Sequence, residues 1–148
     1  MKRIILFLTL CAALTIVYAR TGKLDQTFNS ATAVAANTTN TTAGAALTFA
    51  NDQVPNIARI SVTASGIGAT TNGSLKVVLA SSRDGTTFDT GTLSQFYVSM
   101  TSLGATTNTV SDWFVVSGVK SLRVERIENT FFGAASNIVV RGDFEIQQ

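Results

Sequence analysis

From Ala45 to the C-terminus, apolar residues recur at every second position in short runs separated by turn-forming residues. That period puts successive side chains on opposite faces, so it fits strands with one buried face and not amphipathic helices. Ala46 to Ala50 is the first expected strand, closed by Asn51-Asp52-Gln53 and the lone Pro55. Ile60, Val62 and Ala64 then face one way, with Arg59, Ser61 and Thr63 facing the other, until Gly66-Ile67-Gly68 breaks the run. Leu75, Val77 and Leu79 repeat the pattern, followed by the turn-forming Ser82-Arg83-Asp84-Gly85. Phe96, Val98 and Met100 come next, then Trp113 and Val115, then Leu122 and Val124 with Arg123 and Glu125 opposite. In the closing run Ile138, Val140, Phe144 and Ile146 alternate with Asn137, Arg141, Asp143 and Glu145, and Gly142 is expected as a bulge or a point of close approach.

No stretch after residue 20 has a 3.6-residue period, which excludes a parallel α/β fold with its crossover helices. The length, 148 residues, suits one domain. With 22 Thr, 13 Ser and 9 Asn against 9 acids, the chain is β-prone and not a charged disordered tail. The expectation is an all-β antiparallel β-sandwich or jelly roll of about seven or eight strands, preceded by an N-terminal hydrophobic helix.

That helix is expected from Lys2 and Arg3, sixteen uncharged residues from Ile4 to Ala19, and Arg20. The layout fits a secretory signal peptide, with Val17 and Ala19 at the −3 and −1 positions of a cleavage site. It also fits a retained anchor, although sixteen helical residues reach only about 24 Å across roughly 30 Å of hydrocarbon. Leu10 before Cys11 argues against lipid attachment to that cysteine. Cleavage after Ala19 removes two of the 11 cations and none of the 9 acids, leaving a neutral chain. Without a positive field or a run of Lys or Arg, nucleic-acid binding is not expected. Residues 1–19 thus read as leader or membrane anchor, 20–44 as a Thr/Asn-rich arm or linker, and 45–148 as the sandwich. Within the arm, Phe28, Ser30, Thr32, Val34 and Ala36 alternate with their neighbours, which suits an edge strand of an assembly arm, with Phe28 and Val34 as its anchors. A flexible spacer fits the same composition.

The chain has no His, which removes Ser-His-Asp and Cys-His catalysis, and nothing in it points to an enzyme or a cofactor. Its acids follow no calcium-loop spacing, so no metal is expected. Asp84-Gly85 suits a tight hairpin from which Phe88 returns to the core. Its surroundings look like an Asp-box of sialidase-type propellers, but the glycine comes one residue early and the motif occurs once, so the turn reading is preferred. Arg141-Gly142-Asp143 lies inside an expected strand and reads as alternation. Asn37, Asn40 and Asn72 open glycosylation sequons. Tyr97 and Trp113 are candidate surface aromatics for stacking on sugars, with a buried place on a central strand as the alternative for Trp113.

From about Ile57 to Ile146 the order of features resembles small β-sandwich virion proteins of bacteriophages. The features are an alternating strand, Leu75 to Ser81 leading into Ser82 to Asp89, then Val119 to Glu128, and a closing strand from Asn137 to Ile146. The resemblance implies a jelly-roll-like, non-enzymatic subunit of a capsid, vertex or tail assembly, with copies of itself or other virion proteins as partners. A retained Ile4 to Ala19 helix would suit a virion that encloses a membrane. Two other readings are a secreted filament or surface-layer subunit assembling by strand addition, and a secreted carbohydrate-binding module. All three place the chain in a virion or outside the cell. The intact mass of the mature protein separates the first reading from the other two: a chain beginning at Arg20 marks cleavage, and one beginning at Met1 marks an anchor.

Overall fold

A computed structural model describes residues 21–41, 44–50, 54–66, 72–89 and 96–147. The hydrophobic helix expected over residues 4–19 lies outside the described residues. Nine strands appear among the described residues: β1 (Thr21–Val34), β2 (Thr38–Asn40), β3 (Leu47–Thr48), β4 (Val54–Gly66), β5 (Leu75–Ser82), β6 (Phe96–Met100), β7 (Asn108–Val115), β8 (Ser121–Asn129) and β9 (Ala135–Gln147). There is no helix among the described residues. Strands β3 to β9 fall on the seven expected runs and β1 on the alternating arm; β2, three residues long, is the one addition, too short to show an alternation.

All pairing is antiparallel, in two sheets ordered β1-β9-β4-β7 and β2-β8-β5-β6, with β3 also on β8. The Thr/Ala/Asn-rich residues thus enter both sheets: β1 lies along β9 from Thr21↔Gln147 to Val34↔Ala135, and β2 pairs with β8. With β3 set aside, first pairs with last throughout: β1 with β9, β2 with β8, β4 with β7, β5 with β6. That is one long hairpin, and rolling it up adds the β4–β9 and β5–β8 ladders.

The rolled sheets bury a single core. Ala58, Ile60, Val62 and Ala64 of β4 and Ile138, Val140 and Phe144 of β9 face Leu75, Val77 and Leu79 of β5 and Leu122, Val124 and Ile127 of β8. Phe49, just after β3, packs edge-on against Phe144 with ring centroids 4.9 Å apart. At the side where β6 meets β7, Phe96 and Phe114 close the sandwich at 5.2 Å.

Bulges fall where alternation alone does not place them. Of the two roles expected for Gly142, a bulge or a point of close approach, the bulge is absent: the register runs unbroken through it to both Gln26 and Ile60. It is a buried position of β9 between Val140 and Phe144, and a residue without a side chain keeps an inward place in the ladder. The β4–β9 register instead slips between Thr63 and Ser65, opposite Asn137, whose φ is +52°. A second slip, between Val78 and Leu79 on β5, leaves Glu125 of β8 extra, so Val124 and Ile127 both point inward.

The β8–β9 turn is the most heavily bonded corner. Asn129, 1% exposed, donates from Nδ2 to the carbonyls of Val34 (3.1 Å), Ala35 (2.9 Å) and Gly133 (3.0 Å), while its Oδ1 accepts from the Phe131 amide (3.0 Å). Two hydrogens serve three acceptors, so one is shared. The amide of Asn37, at φ +49°, donates to the Phe131 carbonyl (3.1 Å). Gly73, at φ +131°, lies against the same turn; an added Cβ would sit 2.7 Å from the Thr130 carbonyl oxygen and 2.8 Å from the Phe131 backbone.

Asn129→Asp replaces the donor with an acceptor aimed at three carbonyls. At about 1–3 kcal/mol for each buried polar group left unsatisfied, thermal or urea unfolding at pH 7 should show a loss of roughly 3 kcal/mol or more. A carboxyl so placed is held above its ordinary value, so it is tolerated while protonated. The variant should therefore gain on wild type as pH falls towards about 4, the ordinary Asp value. Gly73→Ala, combining a disfavoured φ with a backbone clash, should cost about 2 kcal/mol or more in the same measurement.

Candidate assembly surfaces

With the inner faces committed to the core, chemistry at a distance from it must come from the outer faces, the edges and the loop ends. β7 is an edge strand whose outward residues are Thr109, Ser111, Trp113 and Val115. This reverses the expected phase, in which Trp113 and Val115 marked the inner row. Both rows of β7 carry apolar residues, and the half-buried Val110 and Phe114 are the ones that pack on the core. Period alone cannot choose between two such rows.

On the outer face, cross-strand pairs form a graded surface. Thr63 and Thr109 join hydroxyls at 2.9 Å, as do Ser61 and Ser111. The next rows are Arg59 opposite Trp113 and Ile57 opposite Val115. Trp113 is 60% exposed, Val115 76% and Ile57 37%. The Arg59 guanidinium stands 5.9 Å from the Trp113 ring centroid, an exposed cation–π contact. β9 supplies Asp143 opposite Arg59 and Glu145 opposite Ile57. The apolar strip is therefore rimmed by charge on its β9 side only.

The outer face of the second sheet is charged. Tyr97, 53% exposed, carries the Lys76 ammonium over its ring at 4.7 Å. Lys76 lies 3.7 Å from Glu128, which also pairs with Arg126 at 2.6 Å; Arg123 pairs with Glu125 at 2.8 Å. Such partly exposed pairs contribute little stability and keep this face hydrated.

Asp84 and Gly85 form a turn, although not a tight hairpin: β5 ends at Ser82 and β6 begins at Phe96. Asp84 Oδ1 accepts from the amides of Thr86 and Thr87, both 2.7 Å, and from the Ser82 hydroxyl at 2.8 Å, while Ser82 Oγ accepts from the Gly85 amide at 2.9 Å. Gly85 takes φ +88°, which favours glycine. The backbone donors of Thr87 and Thr86 hold the Asp84 carboxyl well below the usual carboxylate range. Phe88 does not return to the core as expected: it lies half-buried under the Arg123 guanidinium, 4.3 Å away, and the Asp89 amide bonds the Ser81 carbonyl. Asp84 Oδ1 thus takes three bonds from within its own turn, which gives Asp84 a structural role.

Of the arm residues, Val34 is buried in the core of its own chain. The backbone of Phe28 sits at the register shift of β1 on β9; its side chain lies outside the described residues. Sequence reasoning missed Phe132. It is 77% exposed at the β8–β9 turn, next to Phe131, which is fully buried. Alternation carries no information inside a turn, but composition does. The described connecting residues at this end, 35–37, 72–74, 101–107 and 130–134, contain no charged residue.

Among the described residues no three acidic or cysteine side chains come together as metal ligands. No protein-family model and no curated protein matches the chain.

Because the Asp84 carboxyl ionises more readily folded than unfolded, the stability it provides is complete above the ordinary value of about 4 and declines as pH falls below it. Asp84→Ala should therefore flatten the acid limb of the stability–pH curve below pH 4 and speed protease cleavage between residues 83 and 95. Both are read by unfolding and limited proteolysis.

Proposed function

We propose that this chain is a non-enzymatic structural subunit, a virion protein of the minor capsid, vertex or decoration kind. The observation that carries the reading is the nested pairing of first strand with last, β1 with β9 through β5 with β6, rolled into a four-stranded and a five-stranded sheet. It supports a jelly roll, the architecture of viral capsid domains and also of lectins and cupins. Fold does not decide among these, so the surfaces must.

The surfaces favour packing. Apart from Tyr97, whose ring lies under the Lys76 ammonium, the large exposed apolar side chains among the described residues lie in one outer strip and one loop tip, while the Asp84 turn and Asn129 spend their hydrogen bonds on the chain itself. Strand addition at the free edge of β7 would bring Asp112, opposite Ile60, into the inner row, and an inward charge is a recognised guard of sheet edges. Association through faces and loop ends fits better than through that edge. A retained Ile4 to Ala19 helix would tie the subunit to a membrane enclosed by the particle.

A lectin-like reading draws on Trp113 beside Arg59 and Asp143, an exposed ring flanked by polar groups. Glycan arrays on wild type and Trp113→Ala test it; equal binding rejects it.

Particles purified from producing cells should contain the chain in constant ratio to the other virion proteins, followed by mass spectrometry of the tryptic peptide 127–141. Particles without that peptide overturn the virion reading.

A further inference from the structure

We propose that copies of this chain join head to tail, Phe132 of one copy seating on the Ile57–Trp113–Val115 strip of the next. The proposal rests on the structural-subunit reading above and supplies its partner. Strip and knob lie at opposite ends of the molecule. Ile57 pairs with Glu145 near the far end of β9, whereas Phe132 precedes Ala135, which pairs with Gly66 at the other end. Nine residues of β4 separate these rows, about 30 Å at roughly 3.3 Å per residue, so one copy cannot cover its own strip.

Both elements are preorganised. The turn carrying Phe132 is held by the four hydrogen bonds of Asn129, by the Asn37 amide on the Phe131 carbonyl, and by reciprocal Ser74–Thr130 bonds of 2.8 and 2.9 Å. The strip lies on paired strands whose register fixes Ile57 beside Val115 and Arg59 beside Trp113. Rigid groups lose little freedom on docking, and aromatic residues in charge-depleted surroundings mark interface centres.

Charge selects the pairing. The described loop residues around Phe132, 35–37, 72–74, 101–107 and 130–134, bring no charge, so nothing in them opposes Arg59, Asp143 and Glu145 at the strip, and those groups stay hydrated at the rim. One contact covers both apolar features, whereas Phe132 meeting Phe132 across a twofold axis leaves the strip bare. A head-to-tail contact is heterologous, so it closes into a ring or runs on as a filament.

Sedimentation velocity of the full chain over a concentration series tests this. Wild type should form species larger than a dimer. Phe132→Ser and Val115→Asp, both at exposed positions, should keep the wild-type melting temperature and each associate at least tenfold more weakly. Mixed in equal amounts, the two should recover a dimer and stop there, because one keeps an intact strip and the other an intact Phe132. A monomeric wild type, a variant that assembles like wild type, or a mixture that stays monomeric overturns the proposal. Those results leave the virion reading standing, since that reading falls only on particles that lack the chain.

Discussion

The amide of Asn129 ties together the parts of the molecule that strand pairing leaves loose. Its two hydrogens reach carbonyls at the end of β1, just beyond it and in the β8–β9 turn, while its oxygen takes the Phe131 amide. An amide removed from water and shared among three carbonyls is stable only while all of them keep their places. The site therefore couples the last residue of the first strand to the last turn of the chain, and both sheets close on it. Gly73 completes the corner by giving the Thr130 and Phe131 backbone room to approach.

Much of the sandwich was legible because period 2 is a physical consequence of the pleat. Ile60, Val62 and Ala64, Leu75 and Val77, Val98 and Met100, and Ile138 and Val140 all face the core as their alternation requires. The pattern failed where a second physical effect entered. On β7, apolar residues stand in both rows, and only the position of the strand at a sheet edge assigns Trp113 and Val115 outward. On β8 the extra Glu125 resets the phase, and on β9 Gly142 holds register where a bulge was expected while Asn137 takes the bulge at positive φ. β2 is too short to carry a period at all.

The exposed groups were less legible for a related reason. Trp113 and Tyr97 could be named from their type, but their partners Arg59 and Lys76 are neighbours only across strands. Phe132 lies in a turn, outside any alternation. Its signal was the charge-free composition of loops distant in sequence, which becomes visible only when the topology gathers them at one end. Asp84 shows the converse: its turn is local, so Ser82, Gly85, Thr86 and Thr87 were all within reach of a reading of the sequence.

The nesting of first strand with last also sets when the molecule can form. Every ladder except β5–β6 must enclose the ones made inside it, so contacts are mostly between residues far apart along the chain, the arrangement that slows folding. β5 and β6 can meet early; β1 has no partner until β9 has left the ribosome. During synthesis the first strand waits as an unpaired edge, and whatever machinery handles the nascent chain meets it open.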